Sequence, residues 1–170
     1  MGVTVRFSFQ IVMAAVLALA LSGCGGGSSP VAGSSGGGGT TLTPVTKSRA
    51  GTIYAQSIVT PIGDTVWFTV FEPTQLVAGQ TYPLVLQSHG YGGSRLTTAP
   101  AGSLQYQLIN AGYYVISIDE RGDGQSSGTV RVMDPDYEGQ DLVAVLDWAE
   151  KLEGLRRGTD GKMVVGSYGC

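Results

Sequence analysis

Cysteine is almost missing from this chain: 170 residues hold two, Cys24 and Cys170. No disulfide framework can be built from them, so the fold has to rest on a packed core. Histidine is scarcer still, with His89 alone. Charge is thin as well. Asp, Glu, Lys and Arg make up 14% of the residues, with a formal net charge of −3, against roughly 25% charged residues in ordinary soluble domains. No basic stripe exists, so no nucleic-acid partner is expected, and neither a metal nor a cofactor is expected. The apolar stretch at 11–21 is too short to span a bilayer comfortably and has the length of a signal-peptide core.

What is present near the N-terminus is a graded pattern. Arg6 opens a short basic region, the apolar stretch follows, and it ends in Leu21-Ser22-Gly23-Cys24. This resembles the lipobox of bacterial lipoproteins, in which the cysteine is acylated and becomes the new N-terminus. The resemblance implies a signal peptide over 1–23, lipidation of Cys24 and a protein exported to the cell envelope, anchored in the membrane. Acyl chains contribute about 0.8 kcal/mol per buried CH₂, and two or more hold stably. Gly25 after the cysteine favours the outer membrane where the cell has one. Residues 25–44, "GGGSSPVAGSSGGGGTTLTP", cannot bury apolar surface. A flexible tether over 24–49 is expected, its coil reaching on the order of 25 Å, followed by one folded domain over 50–170.

That domain reads as α/β. "TIYAQSIVTPI" and "DTVWFTVFEP" flank Gly63 and are rich in β-branched and aromatic residues, the signature of an antiparallel hairpin. "YPLVLQSHG" and "YYVISIDERG" are near-continuous apolar runs suited to strands covered on both faces. Between them a helix is expected over 103–111, with Leu104, Leu108 and Ala111 on its buried face and Gly112 at its stop. A longer helix is expected over 134–154: Asp134 caps it, Pro135 fits its first turn, and Leu142, Val145, Leu146, Ala149 and Leu152 form the apolar stripe. Trp148 is expected to serve packing, in the core or at its edge, rather than as a substrate platform. "KMVVGSYGC" is then a last strand and a turn. Hairpin, strand, helix, strand, helix, strand gives a parallel sheet with an antiparallel edge.

The last strand runs into Val165-Gly166-Ser167-Tyr168-Gly169. A serine hydroxyl is a weak nucleophile unless a base and preorganised donors stand beside it. A sharp strand-to-helix turn supplies that setting, and small residues two before and two after the serine keep it free of clashes. Gly169 fits; Val165 stands where glycine is usual. In such a turn the N–H after the serine, here Tyr168, is one oxyanion donor, and a second comes from the loop that carries "SHGYGGS".

Taken in order, "PLVLQSHGYGGS", "YYVISIDERGDGQSSG", "DYEGQDLVAVLDWAEKL" and "VVGSYG" resemble the N-terminal half of an α/β-hydrolase, in particular the Xaa-Pro dipeptidyl-peptidase and cocaine-esterase group. The resemblance covers residues 52–170. It implies that Ser167 is the nucleophile, that Tyr168 gives a backbone oxyanion donor, and that Tyr91 gives the second by N–H or hydroxyl. His89 and Gly90 would support the oxyanion loop, since triad order in this fold puts the histidine after the serine. Asp119, Arg121 and Asp123 would brace the loop after their strand, the alternative being a solvated charged turn. The implied function is cleavage of an ester or amide bond of a small ester or peptide through an acyl-enzyme. The sequence stops one residue after the motif, and the expectation is a fragment of a longer hydrolase, without triad activity as it stands and with a central strand left at an edge. Two alternatives stay open. One is a non-catalytic exported lipoprotein that keeps the fold. The other is a nucleotide-binding domain, mimicked by Gly90-x-Gly92-Gly93 and Asp119 but lacking the third glycine of its fingerprint.

Overall fold

The computed structural model describes residues 44–169. The expected signal peptide, the Cys24 acylation site, most of the tether and Cys170 lie outside the described residues. Among those described, no helix is long and apolar enough to cross a membrane.

The hairpin forms as the β-branched runs require. Strands β2 (Ile53–Val59) and β3 (Thr65–Phe71) pair antiparallel from Ile53–Phe71 to Val59–Thr65. β5 (Leu84–Ser88), β6 (Tyr114–Ile118) and β7 (Val165–Gly169) are parallel to one another, and β3 lies antiparallel beside β6. The five-stranded order is β2-β3-β6-β5-β7, which leaves β7 at an edge. Helix α1 (Leu104–Asn110) joins β5 to β6, and α2 (Glu138–Ala149) lies between β6 and β7. The pleat sorts the residues by face. Phe68, Val70, Leu84, Leu86, Tyr114, Ile116 and Ile118 pack with Val145, Ala149 and Leu152 on the α2 side, while Phe71 and Val115 pack with Ile109 on the α1 side. Trp148 is partly buried and packs against this core, in keeping with a packing role, meeting Phe68 edge-on with ring centroids 4.9 Å apart.

Two boundaries and one helix face differ from the sequence expectation. The end of the tether is folded: Val45 is buried in the core, its carbonyl accepts from the Gly79 N–H at 2.8 Å, and β1 (Arg49–Ala50) pairs with β4 (Gln75–Leu76). The buried face of α1 is turned by one residue. Gln105 and Ile109 are inside and Leu104 is 48% exposed, because the Gln105 amide donates to the Thr98 carbonyl at 3.1 Å and is satisfied where it is buried. Helix α2 begins at Glu138, and Asp134 does not cap it. Its carboxylate instead takes the Asp136 N–H at 2.9 Å, closing a turn before the helix. The apolar stripe is as expected.

The N-terminal edge is held by Glu72. Its buried carboxylate accepts from Arg49 Nη2 at 2.8 Å and from the Thr52 N–H and hydroxyl, both at 2.9 Å. Burial raises its pKa, but the bonds from Arg49 and Thr52 outweigh that and hold the carboxyl below its ordinary range. A depressed carboxylate contributes stability that is complete above the unfolded pKa, near 4.5, and drains away as pH falls through the folded value. Melting between pH 3 and 7 is expected to show this loss starting below about pH 4.5. Glu72→Gln should be about 1–3 kcal/mol less stable at pH 7, with the gap closing in acid.

Candidate active site

The carboxyl ends of the parallel strands carry the site. Ser88 of β5 lies opposite Gly169 of β7, so the loop after β5 and the end of β7 leave the sheet side by side. That loop turns at 90–93: the Gly93 N–H donates to the Gly90 carbonyl at 2.9 Å, and Gly92 has φ 74°, as position i+2 of such a turn requires. His89 Nδ1 lies 2.7 Å from the same carbonyl and His89 Nε2 accepts the Glu120 N–H at 3.1 Å. These partners require the ring proton on Nδ1. Both nitrogens are therefore committed to backbone, as a loop support needs and a catalytic base does not. Because a trans peptide sets N–H opposite C=O, fixing the Gly90 carbonyl also aims the Tyr91 N–H away from the histidine. A Cβ on Gly93 would come within 2.9 Å of both the Gly90 oxygen and His89 Nδ1, so no side chain fits there.

The far end of the loop is fixed to the sheet by polar residues that alternate into its α1 face. The Leu96 N–H donates to Ser117 Oγ at 2.7 Å, the Arg95 N–H to Asp119 Oδ1 at 2.7 Å, and Arg95 Nε to Thr69 Oγ1 at 3.2 Å. The Arg95 guanidinium also pairs with Asp119. On the other side, Arg121 makes a two-point contact with Asp141 of α2, both bonds 2.8 Å, and a third at 2.8 Å to Asp64. The bonds from Asp141, opposed by burial and helped by Asp64, hold Arg121 above its ordinary range. Asp119 and Arg121 are thus braces. The solvated-turn alternative falls for both; Asp123, half-buried, lines the cleft.

Ser167 is exposed and lies in the middle of β7, paired with Leu86. The strand does not break at the serine as the sequence suggested. At about 3.3 Å per residue, Ser167 sits about 7 Å below the rim that Gly169 reaches. The expected turn is not formed within the described residues, since the parallel ladder with β5 continues to the Ser88–Gly169 pair. Ser167 opens onto a groove of about 490 Å³ lined also by Tyr168, Met133 and Leu142. A second cavity of about 410 Å³ adjoins Tyr91, His89 and Glu120. Met133, Ser88, Glu120 and Glu138 line both.

Residues 63–170 match the X-Pro dipeptidyl-peptidase family (S15 family). The chain belongs to this family. As an S15 member it has the α/β-hydrolase fold, and solved structures agree. It is similar to the esterase Pf2001 of Pyrococcus furiosus, with a TM-score of 0.51 and 22% identity over 70% of this chain and 42% of that one. It is also similar to a putative dipeptidyl aminopeptidase IV from Bacteroides ovatus, with a TM-score of 0.50 and 19% identity over 70% of this chain and 17% of that one. Among curated proteins, an uncharacterized 31.7 kDa protein from the traX-finO intergenic region of Escherichia coli is 33% identical over 72 residues, 42% of this chain. The chain spans 24% of that relative's length.

Three residues that build the candidate site escaped the sequence. Arg95 lies in a stretch that reads as loop and Glu120 near the end of one that reads as strand, and their partners, Asp119 and the Ser88 hydroxyl at 2.7 Å from Glu120 Oε1, are brought close only by the sheet. Glu138 lies inside the helix expected over 134–154 with nothing to single it out. Its buried carboxylate reaches back instead, accepting the Arg131 N–H at 2.6 Å and the Asp134 N–H at 3.0 Å. Burial would raise its pKa, but those N–H groups, its own N–H and nearby Arg121 hold it below the ordinary range. No capping box announces it, since Pro135 stands where that motif has serine or threonine.

Proposed function

We propose that this protein is a serine hydrolase that cleaves an ester or amide bond through an acyl-enzyme on Ser167. The observation that carries this is the juxtaposition at the sheet's carboxyl end: an exposed serine on the strand beside the one whose loop is preset by His89 and Gly90. Ser167 Oγ attacks the substrate carbonyl carbon while a base takes its proton. The carbonyl oxygen becomes an oxyanion facing the N–H groups of Tyr168 and Tyr91. The C–O or C–N bond then breaks, the base returns the proton to the leaving group, and water repeats the sequence to free the acid.

His89 is the one histidine in 170 residues, and its nitrogens are occupied. Under this proposal the triad base is a residue other than His89, and the 170-residue chain alone is expected to lack triad activity. For attack, Ser167 also has to leave its ladder with Leu86 and rise to the rim, which a helix following the turn would enforce. A fluorophosphonate probe should label the product of the whole reading frame and leave Ser167→Ala unlabelled.

One observation favours a second reading. β7 runs unbroken through Ser167, with Val165 where a tight turn wants glycine, as in an exported lipoprotein that keeps the fold without the chemistry. Absence of labelling in the whole product would select it. Under either reading we place the protein in the cell envelope, anchored through Cys24. Metabolic labelling with palmitate, lost in Cys24→Ala, is the expected result; retention of label in that variant would refute the anchor.

A further inference from the structure

Val132 and Met133 stand out from the rest of the fold. They are consecutive non-glycine residues in the left-handed region, with φ 59° and 66°, where a β-branched residue is a genuine outlier. Both are apolar and open to solvent, 77% and 83% exposed. Strain and exposure together oppose folding, yet the segment is not left loose. The Glu138 carboxylate grips it on both sides through the N–H groups of Arg131 and Asp134, and the Arg131 guanidinium stacks on the Tyr137 ring at 3.7 Å from its centroid. A backbone held in so costly a shape marks a place where the shape is used.

Its position says for what. Both residues line the 410 Å³ cavity with Tyr91, and Met133 continues into the groove that holds Ser167. An acyl group bonded to Ser167 with its carbonyl oxygen toward the Tyr91 N–H would run along these two side chains. We infer that Val132 and Met133 form a preset apolar lip for the acyl part of the substrate, and that Glu138 is the positioning residue that holds it, so that apolar acyl groups of several carbons are favoured over acetyl. This rests on the serine-hydrolase reading for the direction of the chain, but the lip itself is a binding site that can be measured without turnover.

The probes are hexanamide and acetamide, neutral and not charged against Glu120 and Asp123 in the cleft. Each buried methylene is worth about fourfold in affinity, so with half of the four additional methylenes covered, hexanamide should bind at least about tenfold tighter. Titration of the full-length gene product, followed at the ¹³C-labelled methyl of Met133, should give that ratio and move the Met133 signal. In the double variant Val132→Gly with Met133→Gly the left-handed backbone is unstrained. Its melting temperature should hold or rise while the hexanamide-to-acetamide ratio falls below about threefold. Glu138→Gln keeps both side chains but replaces one acceptor oxygen by a donor facing an N–H, and should lower the ratio as well.

A ratio that survives the glycine pair overturns the inference. So does a Met133 methyl that hexanamide leaves unmoved, which is the result if another segment of polypeptide covers the lip. If the ratio behaves as expected but fluorophosphonate labels nothing, the lip stands as a binding site and the hydrolase reading is the part that fails.

Discussion

Arg121→Met is expected to lower the melting temperature by about 10–20 °C, a loss of about 3–5 kcal/mol. Arg121 is 2% exposed and its partner Asp141 has a side chain 4% exposed. The charges can sit there because the guanidinium fork satisfies both carboxylate oxygens at 2.8 Å and still reaches Asp64. Methionine fills much of the volume but leaves the Asp141 carboxylate buried with no counter-charge, and that is where the large cost lies. The double variant Arg121→Met, Asp141→Leu removes both charges, and an apolar pair of similar volume is often as stable as the ion pair it replaces. It should recover most of the loss. If the double variant is no better than the single, the loss came from packing, including the Tyr137 ring 5.2 Å from the guanidinium carbon, and the ion pair is not the brace described here.

Ser167→Ala should reduce ester hydrolysis by the whole gene product on the order of 10⁶-fold, the scale on which a nucleophile contributes when its triad acts as a unit. His89→Ala should cost far less, about 10²–10³-fold, as when one oxyanion donor is misplaced. The gap between the two is the informative quantity. Removing a nucleophile or its base costs the same, because neither acts without the other. Equal losses in the two variants would make His89 the base after all, against the geometry in which Nδ1 and Nε2 both face backbone groups. Unequal losses leave it holding the Gly90–Tyr91 peptide.

Much of this is legible in the sequence. The hairpin around Gly63, the two apolar strands and the stripe on α2 follow from side-chain alternation and helical spacing, which are local. The Asp119 to Arg121 brace is different: the resemblance implies it, but the residue types alone fit a solvated charged turn as well, and the contacts to Arg95 and Asp141 decide it. Other features are settled by partners distant in sequence. Nothing near Val45 says that it packs beside Gly154, and nothing near Glu138 says that its carboxylate turns back to Arg131. Leu104 seemed a better core residue than Gln105 because hydropathy cannot count a hydrogen bond to Thr98. The serine is the instructive case. Its sequence frame reads as a turn, but Val164 and Val165 lead into a strand that finds a parallel neighbour in β5, and within the described residues the ladder wins.

The central claim concerns one oxygen atom, and the most direct measurement finds where a covalent probe lands. The whole gene product is treated with fluorophosphonate and digested with trypsin, which cuts after Lys162, and the peptide beginning at Met163 is sequenced by mass spectrometry. The account predicts a single adduct on Ser167, formed in the native protein and absent after denaturation. An adduct on any other residue, or none on native protein that hydrolyses esters, would contradict it.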